Sequence, residues 1–165
     1  MRSSVFLAVL LVTSCERPAK TDEKPGSDTP VVAPAPAPTN GPKVFITTAT
    51  GEVAVDVEVV STEAKIERGL MYRQHMALDA GMLFLLPEIK DWTFWMRNTL
   101  IPLDMIFIRP SMTIAGIVEN AEPKTETLRT VGAPSQYVLE VNGGWTKAHG
   151  VAKDAKVRFA NLPGQ

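Results

Sequence analysis

Thiol chemistry is almost missing from this chain: Cys15 is the single cysteine in 165 residues. A lone thiol excludes an internal disulfide, a redox pair and a cysteine-based zinc site. Any domain beyond it must therefore be stabilised by an apolar core. Charge of one sign is also missing. The formal net charge is −1, which gives neither a basic field to gather nucleic acid nor an acidic tail, so no nucleic-acid partner is expected. Gly69, Gly81 and Gly116 do not have the spacing of a phosphate-cradling loop. No G-x-S-x-G nucleophile elbow is present, and no internal repeat is visible. The apolar run Val5 to Val12 is far shorter than the roughly twenty residues that a membrane-crossing helix needs.

That short run has a different meaning at the start of the chain. Arg2 supplies a positive charge, the apolar stretch follows, and small residues come next, which is the layout of a secretory signal. Val12-Thr13-Ser14-Cys15 resembles the lipobox of bacterial lipoproteins. The resemblance implies that residues 1–15 are the signal and that the Cys15 sulfur receives a diacylglycerol. The acylated chain would then be held on the periplasmic face of a bacterial membrane, since each buried methylene contributes ~0.8 kcal/mol.

About half of the thirteen prolines lie before residue 43. Residues 16–42 include the alternation Ala33-Pro34-Ala35-Pro36-Ala37-Pro38. Proline fixes φ and removes a donor, so this stretch reads as an extended, disordered tether and not as a helix or central strand. It can reach at most ~80 Å at polyproline rise.

Residues 43–165 carry the domain. Val53, Val55, Val57 and Val59 alternate with other residues, the signature of a half-buried strand. Val44 to Thr48 pairs with it as a hairpin through residues 49–52. Ser61 or Thr62 caps a short helix that Gly69 ends. Met82 to Leu86 is an apolar strand stopped by Pro87. Trp92 to Met96, Leu103 to Ile108, Thr113 to Val118, Gln136 to Val141 and Lys156 to Phe159 read as further strands. Glu122 to Thr130 reads as an exposed loop, and Trp145 to His149 as one helical turn. Many short strands with turn signals between them predict a mainly β fold, a compact antiparallel barrel or sandwich with one or two short helices.

Three strings are distinctive: Arg68-Gly69-Leu70-Met71-Tyr72-Arg73, Gly81-Met82-Leu83-Phe84, and Trp95-Met96-Arg97-Asn98-Thr99-Leu100-Ile101-Pro102-Leu103-Asp104. With Val138-Leu139-Glu140 and the glycines after it, they resemble the DUF-192 family, a domain of unknown function also called UPF-0127. The resemblance runs from about Lys43 to the end and implies a compact β-rich barrel or sandwich. It implies no reaction. Lys153-Asp154 departs from the family's usual Gly-Asp before the last strand.

Asp104 lies among Leu103, Met105, Ile106, Phe107 and Ile108, where an ionised carboxylate is costly unless paired. Arg68, Arg73 and Arg97 are its candidate partners, and Asn98 and Thr99 its candidate donors. One reading makes Asp104 a structural ion pair or turn cap. The other makes it part of a polar pocket with Arg73, Asn98 and Glu140, walled by Trp95. Asp104 and Glu140 could also act as a carboxylate pair for hydrolysis, as in glycosidases. Met71, Met76, Met82, Met96, Met105 and Met112, with His75 and His149, include groups that suit copper. Most of these methionines sit in apolar strings, where methionine fills core gaps. No metal and no cofactor are therefore expected. The first expectation is a non-catalytic binding or accessory module for a small molecule or an envelope protein. A hydrolase using Asp104 and Glu140 is the alternative.

Overall fold

The computed structural model describes residues 40–164. The signal, Cys15 and all but the last three tether residues lie outside the described residues.

The described chain contains a curled seven-stranded sheet in the order β5-β4-β6-β3-β2-β1-β7. Its strands are β1 (Lys43–Thr48), β2 (Gly51–Val60), β3 (Ala80–Lys90), β4 (Leu103–Ile108), β5 (Ile114–Ala121), β6 (Ser135–Asn142) and β7 (Val157–Ala160). Helix α1 (Glu63–Arg68) lies between β2 and β3, and α2 (Trp145–Ala148) between β6 and β7. The hairpin expected at the start forms, with Val44 opposite Val55 and Thr48 opposite Gly51. All neighbouring strands run antiparallel except β2 and β3, which are parallel. A parallel pair needs a crossover, and residues 61–79 with α1 provide it. The two sheet edges meet at one end, where Ile114 N–H donates to the Ala155 carbonyl and Val157 N–H to the Met112 carbonyl. The sheet is therefore a half-barrel.

Strands β3, β4 and β6 are covered on both faces. Ile106, Ile108, Leu139, Val141 and Leu83 join the valines of β1 and β2 in the inner cluster. Leu103, Met105, Phe107, Val138, Met82 and Phe84 form an outer cluster with Val60, Leu70 and Met96. The period of two along a strand sorts these residues between faces. Met82, Met96 and Met105 are thus packed as core side chains.

Three local expectations change. Pro87 does not stop β3, which continues to Lys90. Its missing N–H is tolerated because pairing with β6 is interrupted between Leu85 and Lys90. Trp92 to Met96 is not a strand but a loop with one bridge, Phe94 to Arg129. Thr62 occupies the N-cap position of α1 without a side-chain cap bond, whereas Gly69 does end the helix, at φ 45°.

Candidate functional site

Asp104 and Glu140 lie on adjacent strands one residue out of register. Asp104 is opposite Val141, and Met105 is opposite Glu140. Residues directly opposite share a face, and successive residues alternate. Asp104 therefore points to the inner face and Glu140 to the outer one. The two carboxyls cannot converge on one cleft, so the geometry does not assemble the Asp104–Glu140 pair of the alternative hydrolase reading.

Asp104 is completely buried, but no arginine among the described residues pairs with it. Its Oδ1 accepts from the backbone N–H of Asn120 at 2.8 Å and of Gly144 at 2.9 Å. Its Oδ2 accepts from the Thr146 N–H at 2.8 Å and the Thr146 hydroxyl at 2.6 Å. Asn120 and Gly144 have positive φ, 48° and 84°; Asn120 lies within β5 where its pairing with β4 bulges, and Gly144 lies in the turn after β6. Gly143 is confined beside Asn120 and Pro102. A Cβ there would lie 2.8 Å from Asn120 Oδ1 and 2.9 Å from Pro102 Cβ. Asp104 thus ties β4 to the end of β5 and to the start of α2, with both oxygens occupied.

The arginines expected to neutralise it are engaged elsewhere. Arg73 makes a two-pronged pair with Glu58, at 2.6 and 2.9 Å. Arg97 sits 4.7 Å from the Trp95 ring centroid and 3.9 Å from Glu126. Arg68 lines the rim of the cleft described next. Asn98 and Thr99 make no bond to Asp104. Asn98 instead directs its amide toward the Met71 sulfur, and its carbonyl accepts from the Tyr72 N–H at 2.9 Å.

Glu140 is only 4% exposed. It sits between Met82 on β3 and Met105 on β4, its direct cross-strand neighbours. No hydrogen bond or ion pair to its carboxyl forms among the described residues. Burial without compensation pushes its pKa up to about 8 from the ordinary 4.5. The carboxyl forms part of the floor of a cleft of about 300 Å³.

The walls of that cleft come from two segments. Ile66, Leu70 and Met71 belong to the end of α1 and the turn after it, and Trp92, Phe94 and Trp95 to the loop after β3. Phe84 and Thr99 complete the lining, with Leu128 at the edge. Gly69 lets the chain pass over Phe84, since an added Cβ would meet that ring at 3.4 Å. The aromatic loop is held by backbone bonds. Phe94 exchanges two with Arg129, at 2.9 and 2.8 Å, and the Met96 N–H donates to the Thr125 carbonyl at 2.9 Å. Phe94 packs edge-on against Phe84 and Phe107, with centroids 5.5 and 5.8 Å apart. Like Glu140, the nearly buried Thr99 has no side-chain hydrogen bond among the described residues.

Of the residues singled out in the sequence, Trp95 and Glu140 share this cleft. Asn98 borders a shallower groove beside it, together with Trp95 and Arg97. Arg73 and Asp104 line neither. The sequence reading missed Phe84, Trp92 and Phe94 as lining residues. The density of aromatics in Trp92-Thr93-Phe94-Trp95 was the available signal, and it was read as strand.

The same architecture occurs in solved structures. One, from Sinorhizobium meliloti and described as a "putative transcription regulator", is 41% identical with a TM-score of 0.70, covering 73% of this chain and 95% of its own. Another, from Novosphingobium aromaticivorans and described as a protein of unknown function, is 37% identical with a TM-score of 0.68, covering 70% and 83%. No curated protein matches the chain. The DUF-192 model, described as "Uncharacterized ACR", matches residues 45–159, which include every strand that builds the cleft. With that match spanning well over half of its length, the chain belongs to the DUF-192 family.

Proposed function

We propose that the β domain is a non-catalytic binding module that takes the apolar part of a small molecule into the cleft above Glu140. The observation that carries this reading is the cleft itself, an aromatic-walled concavity with one unpartnered carboxyl in its floor. Ligand sites combine a largely apolar lining with a few polar groups that fix orientation. The alternative hydrolase lacks its second carboxylate, because Asp104 faces the other side of the sheet with all its acceptor capacity used. A net charge of −1 gives no support to a nucleic-acid partner such as the description of the Sinorhizobium relative suggests.

Thermal shift of the full chain against a set of small aromatic fragments tests the proposal. A ligand at about a hundred times its Kd adds about 2.7 kcal/mol of stability. Trp95→Ala, which removes one wall, should reduce that gain. A set without hits, or hits unaffected by Trp95→Ala, would sink the cleft reading.

The proposal extends to address. The chain is exported and lipid-anchored through Cys15, with the tether carrying the domain clear of the membrane. The charged start, the short apolar run and the lipobox-like string support this. Mass spectrometry of the protein from its native membrane should find an acylated amino-terminal cysteine, and Cys15→Ser should abolish it. A mature chain with another start and no acyl mass would remove the anchor from the proposal.

A further inference from the structure

From the placement of an unpartnered carboxyl and a free threonine hydroxyl in an aromatic-walled cleft, we infer that the cleft binds an organic ammonium ion, its apolar body between the walls and its charged nitrogen on Glu140. The inference rests on the cleft being a binding site, and it names the ligand class.

The choice of side chain is informative. Glu140 is flanked across the sheet by Met82 and Met105, with Phe84 lining the same cleft. An apolar residue would fit these surroundings at no desolvation cost. For a neutral ligand, a glutamine amide would offer a donor and an acceptor without an ionisable group. For an anionic ligand, an amide N–H is again the better donor, since a carboxyl there must stay protonated. Only a cation, or a proton in transfer, uses what a carboxyl alone provides.

Among the described residues no cation fills that role. Arg68 and Glu67 are the charged groups on α1 that line the cleft, and both are exposed to solvent. The cross-strand neighbours on β3 and β4 present methionines and no titratable group. The loop after β3 presents Thr93 and aromatics.

The walls suit the same ligand. Aromatic faces attract cations, and two of these rings already do so. Lys90 Nζ lies 4.1 Å from the Trp92 centroid, and the Arg97 guanidinium 4.7 Å from that of Trp95. Thr99 can accept a second N–H from an ammonium group, which has several donors to satisfy.

Binding would also change protonation. In the empty cleft Glu140 holds its proton at neutral pH. An ammonium beside it favours the carboxylate, so the proton leaves to solvent as the ion pair forms. The ligand keeps its own proton, and charge balances.

The test is calorimetric titration of the full chain in phosphate at about pH 6.3, midway between the ordinary 4.5 and the raised value of about 8, with proton release read separately by pH-stat in unbuffered salt. Phenethylamine is compared with phenethyl alcohol and hydrocinnamate, which share its ring and chain but are neutral and anionic. The amine should bind at least about tenfold more tightly than either and release close to one proton. Glu140→Gln should lose about tenfold or more for the amine and little for the alcohol, with its circular dichroism spectrum showing that the fold persists. The inference is overturned if the alcohol or the acid binds as tightly as the amine, if no proton is released, or if Glu140→Gln binds the amine undiminished. Alcohol or acid binding that is lost in Trp95→Ala would keep the cleft reading and remove the ammonium one. Binding by none of the three also removes it, and the cleft then stands on the fragment set alone.

Discussion

Two carboxyls, one residue out of register on neighbouring strands, have opposite environments. Asp104 on β4 faces the inner side of the sheet and accepts four hydrogen bonds. Glu140 on β6 faces the outer side, under a cleft, and accepts none among the described residues. Both are almost fully removed from solvent, so burial alone does not explain the difference. What differs is the nearby backbone. The β5 bulge at Asn120 and the turn at Gly143-Gly144 bring backbone N–H groups to Asp104, whereas no backbone N–H among the described residues is aimed at Glu140, whose cross-strand neighbours are Met82 and Met105. The lesson is that a buried acid is structural or available according to the donors around it.

The largest expected effect is at Asp104. Asp104→Ala leaves three backbone N–H groups and a hydroxyl without an acceptor, at about 1–3 kcal/mol for each group left unsatisfied. Water entering the vacated space offsets part of this, and a net loss of about 4–6 kcal/mol is expected, a large share of the ~5–15 kcal/mol that holds a domain together. Asp104→Asn keeps one oxygen for Asn120 and Gly144 but turns an NH₂ toward the Thr146 N–H, so it should cost less than alanine. Urea midpoints with unchanged m-values would measure both. Variants as stable as the parent would show that the comparison between the carboxyls is wrong on the Asp104 side.

Next in size is the pH dependence set by Glu140. Its folded pKa, about 8, lies above the ordinary 4.5. The folded chain therefore keeps a proton that the unfolded chain releases between those values. The favourable contribution is fully present below about pH 4.5 and is lost as pH rises through about 8, at up to ~1.4 kcal/mol per pH interval of one. Glu140→Gln should flatten this fall and be about 2–4 kcal/mol less destabilised over the window. Denaturant midpoints from pH 5 to about 9 measure it. Parallel pH profiles for the two proteins would mean that Glu140 is not desolvated as described.

The smallest effect is expected where a charge is exposed and paired. Arg73→Ala removes the pair with Glu58, whose side chains are 34% and 57% exposed. Such pairs contribute ~0–1 kcal/mol, so the melting temperature should barely move and ligand binding in the cleft should be unaffected. A loss of binding in Arg73→Ala would restore Arg73 to the site from which the structure separates it.

The elements were largely legible because their signals are local. The valine alternation of β2 and the doubly apolar run of β4 record side-chain periodicity, which any stretch of chain carries by itself. The glycine at the end of α1 and the turn at Asn142-Gly143-Gly144 are equally local. The loop of Trp92 to Met96 was misread because aromatic residues favour strands wherever they are half-buried. Here they are half-buried as cleft walls instead. Pro87 was misread because its cost depends on whether the neighbouring strand needs its N–H.

Asp104 and Glu140 mark the boundary between the two kinds of information. Their acidity, their apolar neighbours and the need for compensation could be read from the chain alone, as could the two strands that hold them. Which partners they meet could not. The donors to Asp104 come from 16, 40 and 42 residues away, and the arginines near it in sequence point elsewhere. That the two carboxyls part to opposite faces depends on a one-residue offset in the register between β4 and β6. Register is a property of paired strands, so only the folded sheet decides it.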